Sequence, residues 1–196
     1  MSKRGTELNK STGGMFTRTR IIIGLIVLAF IVGFAALVIV DSQQRGTTGD
    51  VEGVEEFDVA SGVNSHTQGT VDYPQDPPVG GEHNPVWQTQ GFYDAPIRNE
   101  NAVHTLEHGA VWISYSPDLP QDQIDRIQEL VEGETCLLAS PYPGLESPIV
   151  ASAWGYQVQL ESADDPNLER FINRYQQGPQ TPEPGATCAG GIADTA

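Results

Sequence analysis

The stretch NAVHTLEHGAVWISY, residues 101–115, joins a short predicted helix to a predicted strand. Asn99 can cap a helix over Glu100–His108, and Gly109 suits the left-handed residue that ends many helices. AVWISY is rich in β-branched and aromatic side chains and is followed by the turn-forming SPDLP, so residues 110–115 are predicted to form a strand. The stretch therefore predicts a helix with a polar face that leads directly into a buried strand.

The segments after this stretch predict a helix, two strands and a last helix, in that order. QDQIDRIQELVEG, residues 121–133, has apolar residues at helical spacing and ends at a glycine. TCLLAS and PIVASAWGYQVQL are predicted as two further strands, and Asp164 or Asp165 can cap a last helix. The apolar faces of the two helices consist of Ile124, Ile127, Leu130 and Val131, and of Leu168, Phe171, Ile172 and Tyr175. This order predicts an α+β fold, in which helices pack on a small mixed sheet.

The first helix of this order carries two histidines and a glutamate on one side. On a helical wheel of 100° per residue, His104, Glu107 and His108 lie together, and apolar residues gather on the opposite side. Side chains four positions apart lie about 5 to 6 Å apart at Cβ, close enough for two imidazoles to share a metal ion. His83, in a loop rich in proline and glycine, adds a third imidazole. Such ligands suit copper or zinc, and the candidate metal ligands are therefore His83, His104, His108 and Glu107.

Two other interpretations of these residues stay open. The polar face can meet water, or its histidines can bond to backbone carbonyls, which would make the domain a noncatalytic module that recognises a partner in the cell envelope. HTLEH also fits the H-x-x-E-H pattern of inverted zinc peptidases, in which Glu107 would activate water. Those enzymes place the pattern in a long helix, whereas here Gly109 and a strand follow at once. The sequence therefore favours metal binding without turnover.

Residues 21–40, IIIGLIVLAFIVGFAALVIV, are predicted to form a single transmembrane helix. These twenty residues carry no charge, and a helix of that length crosses a bilayer core of about 30 Å. Residues 1–20 carry a net charge of +4, so this basic tail is expected in the cytoplasm and the remaining chain outside the membrane. A cleaved signal peptide is the alternative, but its apolar core is normally only about 7 to 15 residues long. The expected partner of this segment is the lipid bilayer.

The chain beyond the apolar segment divides into three parts by composition. Residues 41–71 are acidic with few large apolar side chains, so a flexible stalk is predicted, and His66 within it receives no role. Residues 72–190 begin with the turn-rich YPQDPPVGGEHNP and are predicted to form an extracytoplasmic domain long enough to bury a core. Residues 191–196 are predicted to form a short C-terminal tail.

The predicted exported part is strongly acidic. It holds 25 acidic residues, five arginines and no lysine. Such a surface repels the phosphate backbone, so no nucleic-acid partner is expected. Adaptation to high salt produces the same composition and would imply nothing about partners.

Cys136 and Cys188 are the two cysteines of the chain, and both lie in the predicted exported part. An oxidising compartment permits a disulfide between them, which would contribute about 2 to 4 kcal/mol by closing a long loop. Free thiols or metal ligation are the alternatives.

Several motifs in a fixed order resemble a known family. They are GGEHNPVWQTQGFYD, HTLEHGAVWISYSP, PYPGLESPIVASAWG and GPQTPEPGATC, and together they cover nearly all of residues 74–190. The chain resembles the bacterial and archaeal family of domains of unknown function called DUF3105. The resemblance implies a membrane-anchored or exported domain without an assigned activity. Carried over by motif, the residues of interest are again His83, His104, Glu107 and His108. Many relatives have cysteine at the position of Gln90, so the resemblance gives no support to a general thiol role.

Overall fold

The computed structural model describes residues 20–33, 50–59 and 63–196. Residues 20–33 form helix α1, which covers part of the predicted transmembrane segment, whereas residues 34–40 lie outside the described residues. Within the described ranges, no helix has the length and apolar character needed to cross a membrane. Residues 1–19, most of the basic tail, also lie outside the description, and the described residues from 50 onward belong to one compact unit.

The compact unit is built on one six-stranded mixed sheet. Its strands are β1 (Glu55–Glu56), β2 (Gly91–Phe92), β3 (Val111–Tyr115), β4 (Leu137–Pro141), β5 (Ile149–Ala153) and β6 (Tyr156–Leu160), and its helices are α2 (Asn99–Glu107), α3 (Gln121–Val131) and α4 (Pro166–Tyr175). The strand order is β1-β6-β5-β3-β4-β2. Strand β3 pairs parallel with β4 and antiparallel with β5. The predicted α+β class with a mixed sheet and helices packed on it is confirmed.

PIVASAWGYQVQL was expected to be one strand, but it forms the hairpin β5–β6. Gly155 lies in the turn with φ +75°, a conformation that favours glycine. A Cβ on Gly155 would lie 3.3 Å from the carbonyl oxygen of Phe57, so the neighbouring chain also requires the small residue. A β-rich stretch of sequence therefore contains a turn that depends on one glycine.

The two faces of the sheet are covered in different ways. Helices α3 and α4 pack their apolar residues on alternate strand positions such as Ile113 and Ala151. Helix α4 has the predicted cap, because Asp165 Oδ1 accepts a hydrogen bond from Asn167 N at 2.8 Å. The opposite strand positions, including Trp112, face helix α2 and the loops around it. The candidate site lies on this second side of the sheet.

The prediction of a flexible stalk over residues 41–71 is corrected for residues 50–59 and 63–71. Strand β1 pairs with β6, and Val51 and Val54 pack against the core. Further on, His83 bridges to this segment, because its amide donates to Ser65 O at 2.9 Å and its carbonyl accepts from Thr67 N at 2.7 Å. Backbone pairing orders a segment that has few apolar side chains, so the domain starts before residue 72. Residues 41–49 and 60–62 lie outside the description.

The predicted C-terminal tail, residues 191–196, also joins the domain. Ile192 forms an isolated parallel bridge with Gln88, and the amide of Ala196 donates to Pro96 O at 2.7 Å. These contacts place the end of the chain beside the loop that precedes α2.

Candidate metal centre

Helix α2 is almost completely buried, although it is short and polar. All residues from Glu100 to Glu107 are buried. Its apolar residues pack on the sheet in one cluster, which includes Ala102, Val103, Leu106, Trp112, Leu138 and Trp154. Its polar residues face loops instead of water, so each of them needs a partner inside the protein.

The loop before α2 runs along the helix and supplies many of these partners. The amide of Gln88 donates to Asn101 O at 3.0 Å, and Thr105 Oγ1 donates back to Gln88 O at 2.8 Å. The amide of Asn84 donates to Glu100 O at 3.1 Å. These bonds hold the proline- and glycine-rich loop against the helix and bring the ring of His83 within 4.9 Å of that of His104, between centroids.

Gly109 ends the helical region in the conformation that the sequence predicts. Its φ is +96°, and a Cβ at this position would lie 2.9 Å from the side chain of Thr181 and 3.1 Å from Cα of Gln177. The C-terminal segment therefore packs directly over the end of the helix, beside His108.

Three imidazoles are oriented in the same way, by one ring nitrogen bonded to the backbone. The Nδ1 atoms of His83, His104 and His108 lie 2.7, 2.6 and 2.7 Å from the carbonyl oxygens of Gly81, Asn84 and Thr187, respectively. Because a carbonyl only accepts hydrogen bonds, we assign the hydrogen of each neutral ring to Nδ1. In this tautomer each Nε2 carries a lone pair, which is what the atom needs in order to bind a metal ion.

Four side chains bring possible ligand atoms to one place. One ligand atom from each of His66, His83, His104 and Glu107 lies within 4.8 Å of each of the others. The ring of His66 is 4.9 Å from that of His83 and 5.2 Å from that of His104, between centroids. Three of the four residues are buried and His66 is exposed, so the cluster is closed on the protein side and reaches solvent at His66.

Glu107 and His83 form the innermost part of this cluster. The side chains of both residues are 0% exposed, and Glu107 Oε2 lies 3.0 Å from His83 Nε2. The other carboxylate oxygen, Oε1, accepts a hydrogen bond from the amide of Asn64 at 2.7 Å. Among the described residues, neither Oε2 nor Nε2 has an aligned hydrogen-bond partner despite the short distance between them. A buried carboxylate in this state is costly unless a positive charge compensates it.

His108 contacts the cluster through His104. The two Nε2 atoms are 3.0 Å apart, and His108 Nε2 is also 3.5 Å from Glu183 Oε2. Since both Nδ1 atoms face carbonyls, the Nε2 contact places two lone pairs opposite each other unless a proton or a metal ion lies between them. Burial, opposed mainly by the bond to Asn84 O, lowers the pKa of His104 to about 4, so a second proton on this ring is disfavoured at neutral pH.

The ring of Trp87 covers the paired imidazoles from the side. Its centroid is 5.8 Å from that of His104 and 5.0 Å from that of His108. Behind the indole, a Cβ on Gly191 would lie 2.6 Å from its ring, so only glycine permits this packing. The indole therefore shields the lone-pair contact from water on that side.

The structure thus brings all four predicted ligands into one region, but it groups them differently. His83, His104 and Glu107 converge, whereas His108 lies outside this group and contacts it through His104. His66 was not among the predicted ligands, because a stalk was expected there. One signal could have identified it: the chain has only four histidines, and the other three were already candidates.

Cys136 and Cys188 form a disulfide, so neither cysteine offers a free thiol. The bond ties the C-terminal segment to the start of β4, across 52 positions of sequence. Cys188 follows Thr187, whose carbonyl orients His108. Gln90 packs beside the bond, because its Oε1 accepts from Cys136 N at 2.8 Å. The disulfide is therefore a structural support for the outer histidine.

Residues 65–190 match the family model described as "Protein of unknown function (DUF3105)". No curated protein and no solved structure matches the chain. The matched range contains His66, His83 and the whole of α2, so the family domain includes the complete cluster.

Proposed function

We propose that this chain, which belongs to the DUF3105 family, binds one divalent transition-metal ion, zinc or copper, for handling or sensing rather than for turnover. The proposed ligands are His66, His83, His104 and Glu107. The observation that carries the proposal is the buried pair Glu107 Oε2 and His83 Nε2, 3.0 Å apart without an aligned partner and within ligand distance of two further imidazoles. A divalent ion would compensate the buried carboxylate and use every lone pair that faces the cluster.

The donor atoms favour zinc or copper(II). Three imidazole nitrogens and one carboxylate oxygen form a borderline set, whereas calcium and magnesium prefer mainly oxygen. Copper(I) prefers soft sulfur ligands, and both cysteines are held in the disulfide. The bonds from Nδ1 to backbone carbonyls supply the orienting partners that imidazole ligands commonly have.

Binding without turnover is favoured by the way Glu107 is held. Four protein ligands complete a tetrahedral zinc site, whereas catalytic zinc sites keep a position for water. A general base on such a water would need its carboxylate free to reach it, but Glu107 is wholly buried and its Oε1 is bonded to Asn64 N. A metal-dependent hydrolase that uses Glu107 as base therefore ranks third.

The second candidate is a noncatalytic envelope module with structural histidines. Its support is that three of the four histidines already bond to backbone carbonyls. In that case the contact between His83 and Glu107 would be a structural one without a metal ion, and the domain would act by contact with a protein or wall partner. The two candidates differ in whether the folded protein holds a metal ion.

Metal content separates them directly. Full-length protein, purified in detergent and incubated with zinc or copper(II), is expected to retain about one ion per chain after desalting. His104→Ala and Glu107→Gln should each weaken binding by at least about 100-fold, because each removes a ligand. Glu146→Gln, an exposed change in a distant loop, is the matched control and should bind like the wild type. A folded wild type that retains neither ion would favour the structural-histidine candidate.

We further propose that residues 21–40 anchor the domain in the cell membrane, with the N-terminus in the cytoplasm and the domain outside. The uncharged run of twenty residues and the basic residues before it support this orientation. The disulfide agrees with an oxidising compartment. The test is protease protection: in intact cells whose outer layers are permeabilised, the domain should be cleaved and an epitope at the N-terminus should not. Protection of both ends would contradict the proposed orientation.

A further inference from the structure

His108 lies next to the proposed ligand set without belonging to it. Its Nε2 is 3.0 Å from that of His104, yet the group of four that converges within 4.8 Å contains His104 and not His108. His104 has one nitrogen available for a metal, because its Nδ1 is bonded to Asn84 O. His104 can therefore bind an ion on the inner side or share it with His108, but it cannot bind two ions at once.

The contact between the two rings suits a metal ion better than it suits two neutral imidazoles. Both Nδ1 atoms are bonded to carbonyls, so in neutral rings both Nε2 atoms present lone pairs to each other. Two imidazole nitrogens on one tetrahedral zinc ion, at bonds of about 2.0 to 2.1 Å, are about 3.3 Å apart. The 3.0 Å between His104 Nε2 and His108 Nε2 is close to this spacing.

Glu183 brings a carboxylate oxygen to the solvent side of this pair. Its Oε2 lies 3.5 Å from His108 Nε2, and its side chain is 38% exposed whereas that of His108 is 7% exposed. Its amide donates to the carbonyl of Glu107 at 3.1 Å, which fixes the backbone at the end of α2. The carboxylate can therefore reach both the imidazole pair and the surrounding water.

We infer that His104, His108 and Glu183 form an outer position for the same metal ion. The inner position is the set of His66, His83, His104 and Glu107. Because the two positions share His104, the ion moves from one to the other by exchanging ligands one at a time, with His104 bound throughout. This inference rests on the proposed function, and it assigns to the domain a route by which the ion leaves the buried site through Glu183.

The route is tested by separating affinity from the rate of release. Full-length protein in detergent is loaded with one equivalent of zinc, and transfer to an excess of a chromogenic chelator is followed by stopped flow. Glu183→Gln should slow the transfer by about tenfold, the scale on which removal of a supporting group changes metal sites. Its equilibrium affinity for zinc should change by less than about fivefold, because an exposed charge contributes little. The control Glu146→Gln should leave both quantities unchanged.

His108→Gln provides the second variant, and its amide can still donate to the carbonyl of Thr187. It should slow release at least as much as Glu183→Gln does, again with nearly unchanged affinity. Release at the wild-type rate in both variants would overturn the inference, and so would a loss of affinity as large as that of His104→Ala. Slower release in His66→Ala alone would place the exit on the other side and would also overturn it. If the wild type retains no zinc, the proposed function itself fails, which the loading step reveals before any rate is measured.

Discussion

The two faces of the sheet show opposite ways of covering a β-sheet. On one face, α3 buries Ile127 and Val131 and leaves its other residues exposed or partly exposed, as an amphipathic helix does. On the other face, α2 buries every residue from Glu100 to Glu107, polar and apolar alike. The first face is stabilised by apolar burial, which needs no specific partners. The second depends on many individual polar contacts with the loops.

This difference shows where function can be expected in the fold. A helix that only had to cover the sheet would place its polar residues in water, as α3 does. Helix α2 and His108, which caps its end, instead hold two imidazoles and the carboxylates of Glu100 and Glu107 inside the protein. This arrangement costs stability unless each group is compensated. The candidate metal site therefore lies on the face covered by α2, and we expect the opposite face to supply most of the stability that offsets this cost.

The largest effect that we expect comes from the apolar face. Phe171 is fully buried in the cluster between α4 and the sheet. Phe171→Ala should lower the free energy of unfolding by about 3 to 5 kcal/mol, because it removes apolar burial and leaves a cavity. The measurement is denaturant unfolding of the variant and the wild type, both in the presence of a metal chelator. A loss below about 1 kcal/mol would mean that this face is not the main source of stability.

The apolar face is also the part of the molecule that the sequence predicted best. Local patterns predicted these elements: apolar residues at helical spacing predicted α3 and α4, and β-rich segments predicted β3 and β4. The structure has a helix or a strand at each of these positions. Strand β1 is only two residues long and depends on pairing with β6, for which a sequence carries no local signal. His66 was assigned to a stalk for a similar reason, because its segment is ordered by pairing with the distant residue His83. The approach of His83 to Glu107 follows from how one loop packs, so the sequence supplied the ligand types but not their grouping.

The second prediction concerns the α2 face and uses the metal ion to distinguish it. Zinc at about 100 times its dissociation constant should raise the free energy of unfolding by about 2.7 kcal/mol, because it binds only the folded chain. Phe171→Ala should gain the same increment as the wild type, since its change is on the other face. His83→Ala should gain almost none. If zinc raised the free energy of unfolding of His83→Ala as much as that of the wild type, zinc would bind elsewhere. The contrast between the two faces would then not hold.

The third prediction concerns a buried hydroxyl on the apolar face. Burial, with a smaller contribution from Asp94, raises the pKa of Tyr115 from 10.0 to about 12. Between these values the unfolded chain loses the proton and the folded chain retains it, so rising pH favours unfolding. The hydroxyl should therefore cost the protein about 2 kcal/mol of stability as the pH rises from 10 towards 12. Tyr115→Phe should remove this part of the alkaline loss, measured as the difference between the two unfolding curves. Parallel curves would contradict the prediction.

The smallest effect is expected where charges lie on the surface of the apolar face. Arg126 Nη2 is 2.6 Å from Glu169 Oε1, and its guanidinium also lies 3.8 Å from Glu129 and 3.9 Å from Asp164. Its side chain is 37% exposed, so water and salt screen these pairs. Arg126→Ala should lower the free energy of unfolding by less than about 1 kcal/mol, and the difference should shrink in about 1 M salt. A loss of several kcal/mol that persists in salt would mean that ion pairs, and not apolar burial, hold α3 to α4. The two faces would then both depend on specific polar contacts, and the contrast between them would no longer explain why the candidate metal site lies at α2.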